Sequence, residues 1–260
     1  MRNPDLPSPV QQIPWDHDIT IHVKRDDLLH PVYGGNKWRK LKYNLSAMRE
    51  RGTGHIVTFG GPFSNHIHAV AGISRDQGLQ ATMYLRGPFD DPANPVLQFV
   101  RQAGAHLIML SRAEYARRRD VDFLDDLKVR HPDAWIIPEG GTNTLAIRGC
   151  AEIVAEVEQQ LGYLPDHWVV AGGTGGTAAG IAQGLAGRAQ LHVITAVPKK
   201  LFIPTFFEAM SWTKGTVPRR ITVDDGFHLG GLGRWDDELI SRILKTEAAH
   251  AVPLDPVYTG

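Results

Sequence analysis

The chain has 260 residues, 42% apolar and 22% charged, which is the composition of a globular protein with material for a substantial core. Lys plus Arg equals Asp plus Glu at 28 each, so the overall charge supplies no attraction for nucleic acid or an anionic membrane. Cys150 is the only cysteine; it excludes an internal disulfide and a multi-cysteine metal site, and reads as a small buried residue. The start, Met1-Arg2-Asn3-Pro4-Asp5, lacks a basic segment followed by an apolar run, and nowhere do eighteen apolar residues run together, so a cytoplasmic location is the default expectation.

In chain order, the patterning predicts a helix over residues 37–51, a strand over 55–59, a helix over 65–77 and a strand over 81–85. A Pro-rich loop then leads to a helix over 95–103, strands over 106–110 and 135–137, and a helix over 144–161. A strand over 167–171, a helix over 177–186 and a strand over 192–197 follow. In the helix over 144–161, Leu145, Ile153, Val154, Val157 and Leu161 recur near helical spacing, which predicts packing on a sheet with Glu152, Glu156 and Glu158 in solvent. Arg117-Arg118-Arg119 is followed directly by Asp120, Asp122, Asp125 and Asp126, so it reads as a solvated helix face rather than a nucleic-acid patch. Strands alternating with helices, without repeats, indicate an α/β protein with mostly parallel strands in one large sheet or two.

Three segments carry chemistry. In Gly34-Gly35-Asn36-Lys37-Trp38-Arg39-Lys40-Leu41 a lysine stands at the head of a helix, where the positive end of the dipole disfavours a cation and lowers its pKa. Arg39 and Lys40 are expected to add to that field, favouring the neutral amine that attack on a carbonyl requires. An ordinary surface lysine is the simpler reading of this segment alone. In Val169–Gly180 an apolar strand runs into Gly172-Gly173-Thr174-Gly175-Gly176-Thr177 and then a small-residue helix, which aims backbone N–H groups at one point as a phosphate cradle. It lacks the Lys-Ser/Thr ending of a nucleotide-hydrolysing loop. In Thr58–His68 another strand turns into a helix, and Ser64 or Asn65 as N-cap explains the residue types without function. His66 and His68 stand two apart and do not share a helix face, so no metal site is read there.

Together these segments resemble the pyridoxal-phosphate (PLP) dependent family of D-cysteine desulfhydrase and 1-aminocyclopropane-1-carboxylate deaminase, related in fold to the tryptophan synthase β subunit. The match runs from Val23-Lys24-Arg25-Asp26-Asp27 through Gly34–Leu41, Gly60–His66, Pro138-Glu139-Gly140-Gly141-Thr142-Asn143 and Gly172–Gly180 to Asp255-Pro256-Val257-Tyr258-Thr259-Gly260. The lysine and terminal segments are the specific ones. The resemblance implies that Lys37 carries PLP as an internal aldimine, that Asn65 hydrogen-bonds the cofactor's 3′-oxygen, and that the amides of Gly173, Thr174, Gly175, Gly176 and Thr177 hold its phosphate. It puts Ser64, Asn65 and His66 at the substrate carboxylate, makes Tyr258 an active-site tyrosine, and sets Thr259 opposite the pyridine nitrogen, where deaminases have Glu and desulfhydrases Thr. A neutral hydroxyl leaves the ring a weaker electron sink, which suits β-elimination to pyruvate and ammonia, with freed Lys37 or Ser64 accepting the α-proton.

The fold so implied is α/β with two domains of the tryptophan synthase β type, each a twisted, mostly parallel sheet flanked by helices. Residues 1–44 plus 147–260 form the large PLP-binding domain, and residues 45–146 form a smaller inserted domain that closes on a small amino-acid substrate. A homodimer is expected, with no nucleic acid, membrane or metal partner. Two departures stand out. Where the family has a second tyrosine in a Gly-Tyr-Gly context this chain has Gly231-Leu232-Gly233, and it stops at Thr259-Gly260 where relatives continue with a lysine and helical sequence. Three readings compete with a D-cysteine desulfhydrase-like lyase. They are a deaminase, racemase or β-replacement enzyme on the same scaffold, a PLP-binding protein with little catalysis, and a nucleotide-binding protein using Gly172–Gly180.

Overall fold

The computed structural model describes residues 6–15, 18–87, 91–213 and 220–260. Strands β1 (Val10–Ile13) and β2 (Ile21–Lys24) pair antiparallel and lead into a single 3-10 turn, Asp26–Leu29. Helix α1 (Asn36–Arg51), strand β3 (His55–Gly60), α2 (Asn65–Gln77), β4 (Gln80–Arg86), α3 (Pro95–Gln102) and β5 (His106–Leu110) follow in strict alternation. After the short α4 (Arg112–Ala116) and α5 (Val121–Arg130), β6 (Ala134–Ile137) ends in a second 3-10 turn, Glu139–Gly141. The chain continues through α6 (Thr144–Leu161), β7 (His167–Gly172), α7 (Gly176–Leu185), β8 (Gln190–Thr195), α8 (Lys199–Ser211), β9 (Ile221–Asp224) and α9 (Asp237–His250).

Two parallel sheets result, one of four strands in the order β5-β4-β3-β6 and one of three in the order β7-β8-β9. The four-stranded sheet is covered on both faces, and the period of two shows in its strands. Ile56, Met83 and Leu85 pack with α1 and α2 residues such as Leu41, Leu45, Ile67 and Val70. Val57, Phe59 and Tyr84 turn the other way, onto Tyr115 and Leu127. A second core joins α6, α7, α8 and β8 through Val154, Ile181, Phe202 and Val193.

Helix α6 packs chiefly on α7 and α1, not on a sheet as expected. Small residues make this possible: a Cβ on Gly149 would lie 2.0 Å from the Arg39 carbonyl oxygen, and one on Gly180 would lie 2.4 Å from Cys150 Cβ. Glu152 and Glu156, expected in solvent, face α1 instead, bonding Lys42 (2.5 Å) and Arg39. Glu158 pairs with Arg188 at 2.7 Å. Arg117, Arg118 and Arg119 occupy the turn between α4 and α5 rather than a helix face, and pair with Asp120, Glu139 and Glu208. Strand β8 ends two residues before the predicted limit because the buried Thr195 hydroxyl bonds both the amide and the carbonyl of Val197 and closes the strand there. Cys150 is fully buried.

Candidate functional site

Two glycines set the start of α1. A Cβ on Gly34 would lie 2.5 Å from the His30 carbonyl oxygen, and Gly35, the N-cap, has φ +68° while its amide donates to the Asp26 carbonyl at 2.6 Å. No side chain caps this end. Asn36 and Lys37 are therefore the first two residues of a helix whose positive end is open. Lys37 Nζ donates to Asn36 Oδ1 at 3.1 Å, and Asn36 Nδ2 donates to Thr177 Oγ1 at 2.9 Å, joining the heads of α1 and α7. Burial, with Lys40 adding to it, pulls the Lys37 amine down to about 7.

The three cations of this segment have different surroundings. Arg39, expected to add to the field on Lys37, is fully buried in a double ion pair, 2.8 Å from Asp26 and bound also by Glu156 at 2.5 Å. Its charge is neutralised where it stands, and hydrogen bonds to Glu156 and Asp26 raise its pKa above the ordinary value against the cost of burial. Lys40 is the cation that acts on Lys37. It is buried without a carboxylate, donating to the Gly140 carbonyl (2.9 Å), Thr142 Oγ1 (3.1 Å) and Thr174 Oγ1 (3.4 Å), and burial lowers it to about 8. Its role as the pin between the Glu139–Gly141 turn and the glycine loop was not visible in the sequence, where nothing distinguished it from a surface lysine.

The glycine loop is shaped by close walls. A Cβ on Gly173 would meet the Tyr258 ring at 2.9 Å, one on Gly175 the Phe206 backbone at 2.8 Å, and one on Gly176 the Thr142 hydroxyl at 2.6 Å. Thr174 Oγ1 lies 2.7 Å from Thr142 Oγ1. Gly175 caps α7 at φ +81° with no side-chain hydrogen bond, whereas α2, α3, α6 and α9 are all capped by side chains. An uncapped helix start beneath a glycine turn, beside two lysines, is a place for an anion such as phosphate.

Opposite, Ser64 caps α2, its hydroxyl oxygen accepting from the amides of His66 (3.2 Å) and Ile67 (3.4 Å). Its hydroxyl hydrogen is not used by that cap. Asn65, exposed at the head of α2, donates from Nδ2 to Asp255 Oδ2 at 2.7 Å. His66 lies beneath, 1% exposed, with Nε2 2.8 Å from Thr58 Oγ1. The Thr58 hydroxyl donates to the Ile137 carbonyl at 2.8 Å, so His66 donates from Nε2 and its Nδ1 is a bare acceptor, which has no partner. Burial, Lys37 and Lys40 hold this imidazole well below its ordinary pKa, hence neutral.

Tyr258 closes the site. Its ring centroid is 6.0 Å from Lys37 Nζ, and burial, Asp255 and Glu139 raise the phenol, which keeps its proton. Thr259 is exposed, its hydroxyl accepting from the Asp255 amide at 2.7 Å. A small cleft behind Tyr258 is lined by Gly231, Gly233, Arg234 and Phe227, while Leu232 itself is 49% exposed. The site thus joins Lys37, the loop Gly173–Thr177 and Tyr258 by direct contacts, and brings Asn65 to the Tyr258 turn through Asp255. Asp255, a lone acidic residue before Pro256 in the terminal stretch, carries no local signal of its partners.

The donor set fits PLP: a half-buried lysine whose amine is brought down to about 7, a helix start with no side-chain cap, and an Asn amide on the facing element. A family model described as "Pyridoxal-phosphate dependent enzyme" matches residues 4–247. A putative 1-aminocyclopropane-1-carboxylate deaminase of Thermotoga maritima is 37% identical over 69% of this chain and 59% of its own length. A mitochondrial protein of Arabidopsis thaliana named as a bifunctional D-cysteine desulfhydrase/1-aminocyclopropane-1-carboxylate deaminase is 28% identical over 98% of this chain and 69% of its own. The crystal structure of an ACC deaminase homologue superposes with a TM-score of 0.82 at 26% identity, covering 99% of this chain and 82% of that one.

Proposed function

Because this chain belongs to the pyridoxal-phosphate dependent enzymes, we propose that it is a lyase that eliminates the β-substituent of D-cysteine or a similar small D-amino acid, with Lys37 as the cofactor-bearing residue. One observation carries this reading: Lys37, brought to about 7, stands at the head of α1 where Asn36 ties it to the uncapped start of α7. PLP bound there supplies a covalent handle for the substrate's amino group and an electron sink for the bond that breaks.

The amides of Gly173, Thr174, Gly175, Gly176 and Thr177 would hold the phosphate, and Asn65 would donate to the 3′-oxygen. Lys37, its amine brought to about 7, would accept a proton from the substrate α-carbon near neutrality. Ser64 keeps a hydroxyl hydrogen for the substrate carboxylate at the head of α2, with Asn65 and His66 as its neighbours. Tyr258, protonated, donates to the departing group. Thr259 would face the ring nitrogen with a hydroxyl and no charge, which would favour elimination over opening of a cyclopropane ring.

The domain division, residues 45–146 against 1–44 plus 147–260, belongs to the same proposal, as does work as a cytoplasmic homodimer. The four-stranded sheet lies wholly within 45–146 and the three-stranded one wholly outside it, so Ser64 and Lys37 would close on the substrate from different units. Among the described residues no helix is long and apolar enough to cross a membrane. Sedimentation of the purified protein tests the dimer.

The name of the Thermotoga relative favours a second reading, deamination of 1-aminocyclopropane-1-carboxylate. Product analysis separates the two. Pyruvate and sulfide from D-cysteine support the lyase, whereas 2-oxobutanoate from the cyclopropane amino acid with no sulfide release from D-cysteine overturns it.

A further inference from the structure

Asp255 is the residue on which both walls of the site converge. Its Oδ1 accepts the amides of Val257 (2.9 Å) and Tyr258 (3.1 Å), and its carbonyl accepts those of Thr259 and Gly260, each at 2.9 Å. Its own amide donates to Thr259 Oγ1 at 2.7 Å. The remaining oxygen, Oδ2, reaches across to the head of α2 and accepts from Asn65 Nδ2 at 2.7 Å. One side chain thus shapes the turn that carries Tyr258 and Thr259 and binds it to Asn65.

The chemistry of that last contact is directional. An asparagine amide can lie either way round, but an ionised carboxylate only accepts. Facing Asp255, Asn65 must present its nitrogen, and the second N–H of the same NH2 group then points away from Asp255 as a donor. With an acceptor-donor group opposite, the amide could turn and offer its oxygen instead.

We propose that Asp255 is a positioning residue that locks the Asn65 amide with its N–H toward the cofactor while holding Tyr258 against Gly173. The inference rests on the reading above that Asn65 donates to the 3′-oxygen. Its carboxylate also favours the protonated forms of Lys37 and Tyr258, so its loss moves both titrations downward.

The test uses three variants of the full chain: Asn65→Ala, Asp255→Asn, and the swap Asn65→Asp with Asp255→Asn. PLP affinity is read by titration of the visible band, together with the pH midpoint of that band and the thermal unfolding midpoint without cofactor. Asn65→Ala and Asp255→Asn are both expected to weaken PLP about tenfold, the worth of one hydrogen bond to a charged group, and each to move the pH midpoint of the band away from the parental value. A purely structural Asp255 would lower the unfolding midpoint and leave the band where it is. The swap keeps a carboxylate-amide tie between α2 and the terminal turn but puts the amide on the turn, so it is expected to unfold like the parent yet bind PLP as poorly as Asn65→Ala or worse; parental binding in the swap would show that the tie matters and the direction of the Asn65 amide does not. Weakened binding in Asn65→Ala with parental binding and band titration in Asp255→Asn, or with parental binding in the swap, overturns the inference and leaves the function standing. Parental binding in Asn65→Ala refutes the role of Asn65 and the inference with it.

Discussion

Arg39 and Lys37 lie two residues apart on one helix and meet opposite treatment. Arg39 has no exposed surface and two carboxylates, Asp26 and Glu156, in direct contact. Lys37 has a neutral asparagine oxygen and a tyrosine ring. The fold therefore shows that it can pair a buried cation in this helix and does so where the charge joins α1 to α6 and to the turn Asp26–Leu29. Beside the glycine loop it gives the amine no ion pair and adds Lys40 to it, a choice that costs stability and, on the proposed function, supplies the nucleophile.

The strongest way to sharpen that contrast is to remove each group. Lys37→Ala is expected to lower turnover of the loaded enzyme by on the order of a thousandfold or more, measured as pyruvate release, while folding is retained. Asp26→Ala strips a buried guanidinium of one partner and is expected to cost about 3–5 kcal/mol in chemical denaturation, with PLP still able to bind the folded fraction. Equal damage from both variants to stability would erase the distinction between a structural and a reactive cation.

A subtler expectation concerns pH. The folded-state pKa of Lys37 is about 7 against 10.5 for the free side chain, so between those values the unfolded chain binds the extra proton and stability rises with pH. Lys37→Met removes this penalty, and its cofactor-free form is expected to unfold at a higher temperature than the parent near pH 7, the gain shrinking as pH climbs toward 10.5. Smallest is the contribution of His66. Its depressed pKa leaves the folded state fully favoured above 6.5 and progressively weakened as pH falls below that value, by at most about 1.4 kcal/mol per pH unit. Denaturation of the parent and of His66→Gln at pH 7 and pH 5 isolates it, since the variant is expected to lose less stability across that interval.

The alternation of strands and helices was legible wherever glycine punctuated an apolar run, as at Gly52, Gly78 and Gly162, each of which ends a helix in the left-handed region. Helix α8 was not, because Pro204 sits inside it and reads as a breaker. Short β1, β2 and β9 lack the length that makes period-two patterning visible. In the site, residues whose local motif points one way, such as Lys37, Ser64 and the glycine loop, could be singled out from the chain. Residues whose meaning comes from a partner far along it could not. Lys40 meets Gly140, Thr142 and Thr174, Arg39 meets Glu156, and Asp255 meets Asn65, each across a hundred residues or more.

Lys40 makes the most direct test of the account a discriminating one, because it too is buried, lowered to about 8, and three residues from Lys37. Borohydride reduction of the PLP-loaded protein followed by peptide mapping is the measurement. The account predicts a visible band lost on reduction and a label on Lys37 alone, with Lys40 unmodified in its bonds to Gly140 and Thr142. A label on Lys40 or any other lysine, or no visible band with PLP in excess, would contradict it.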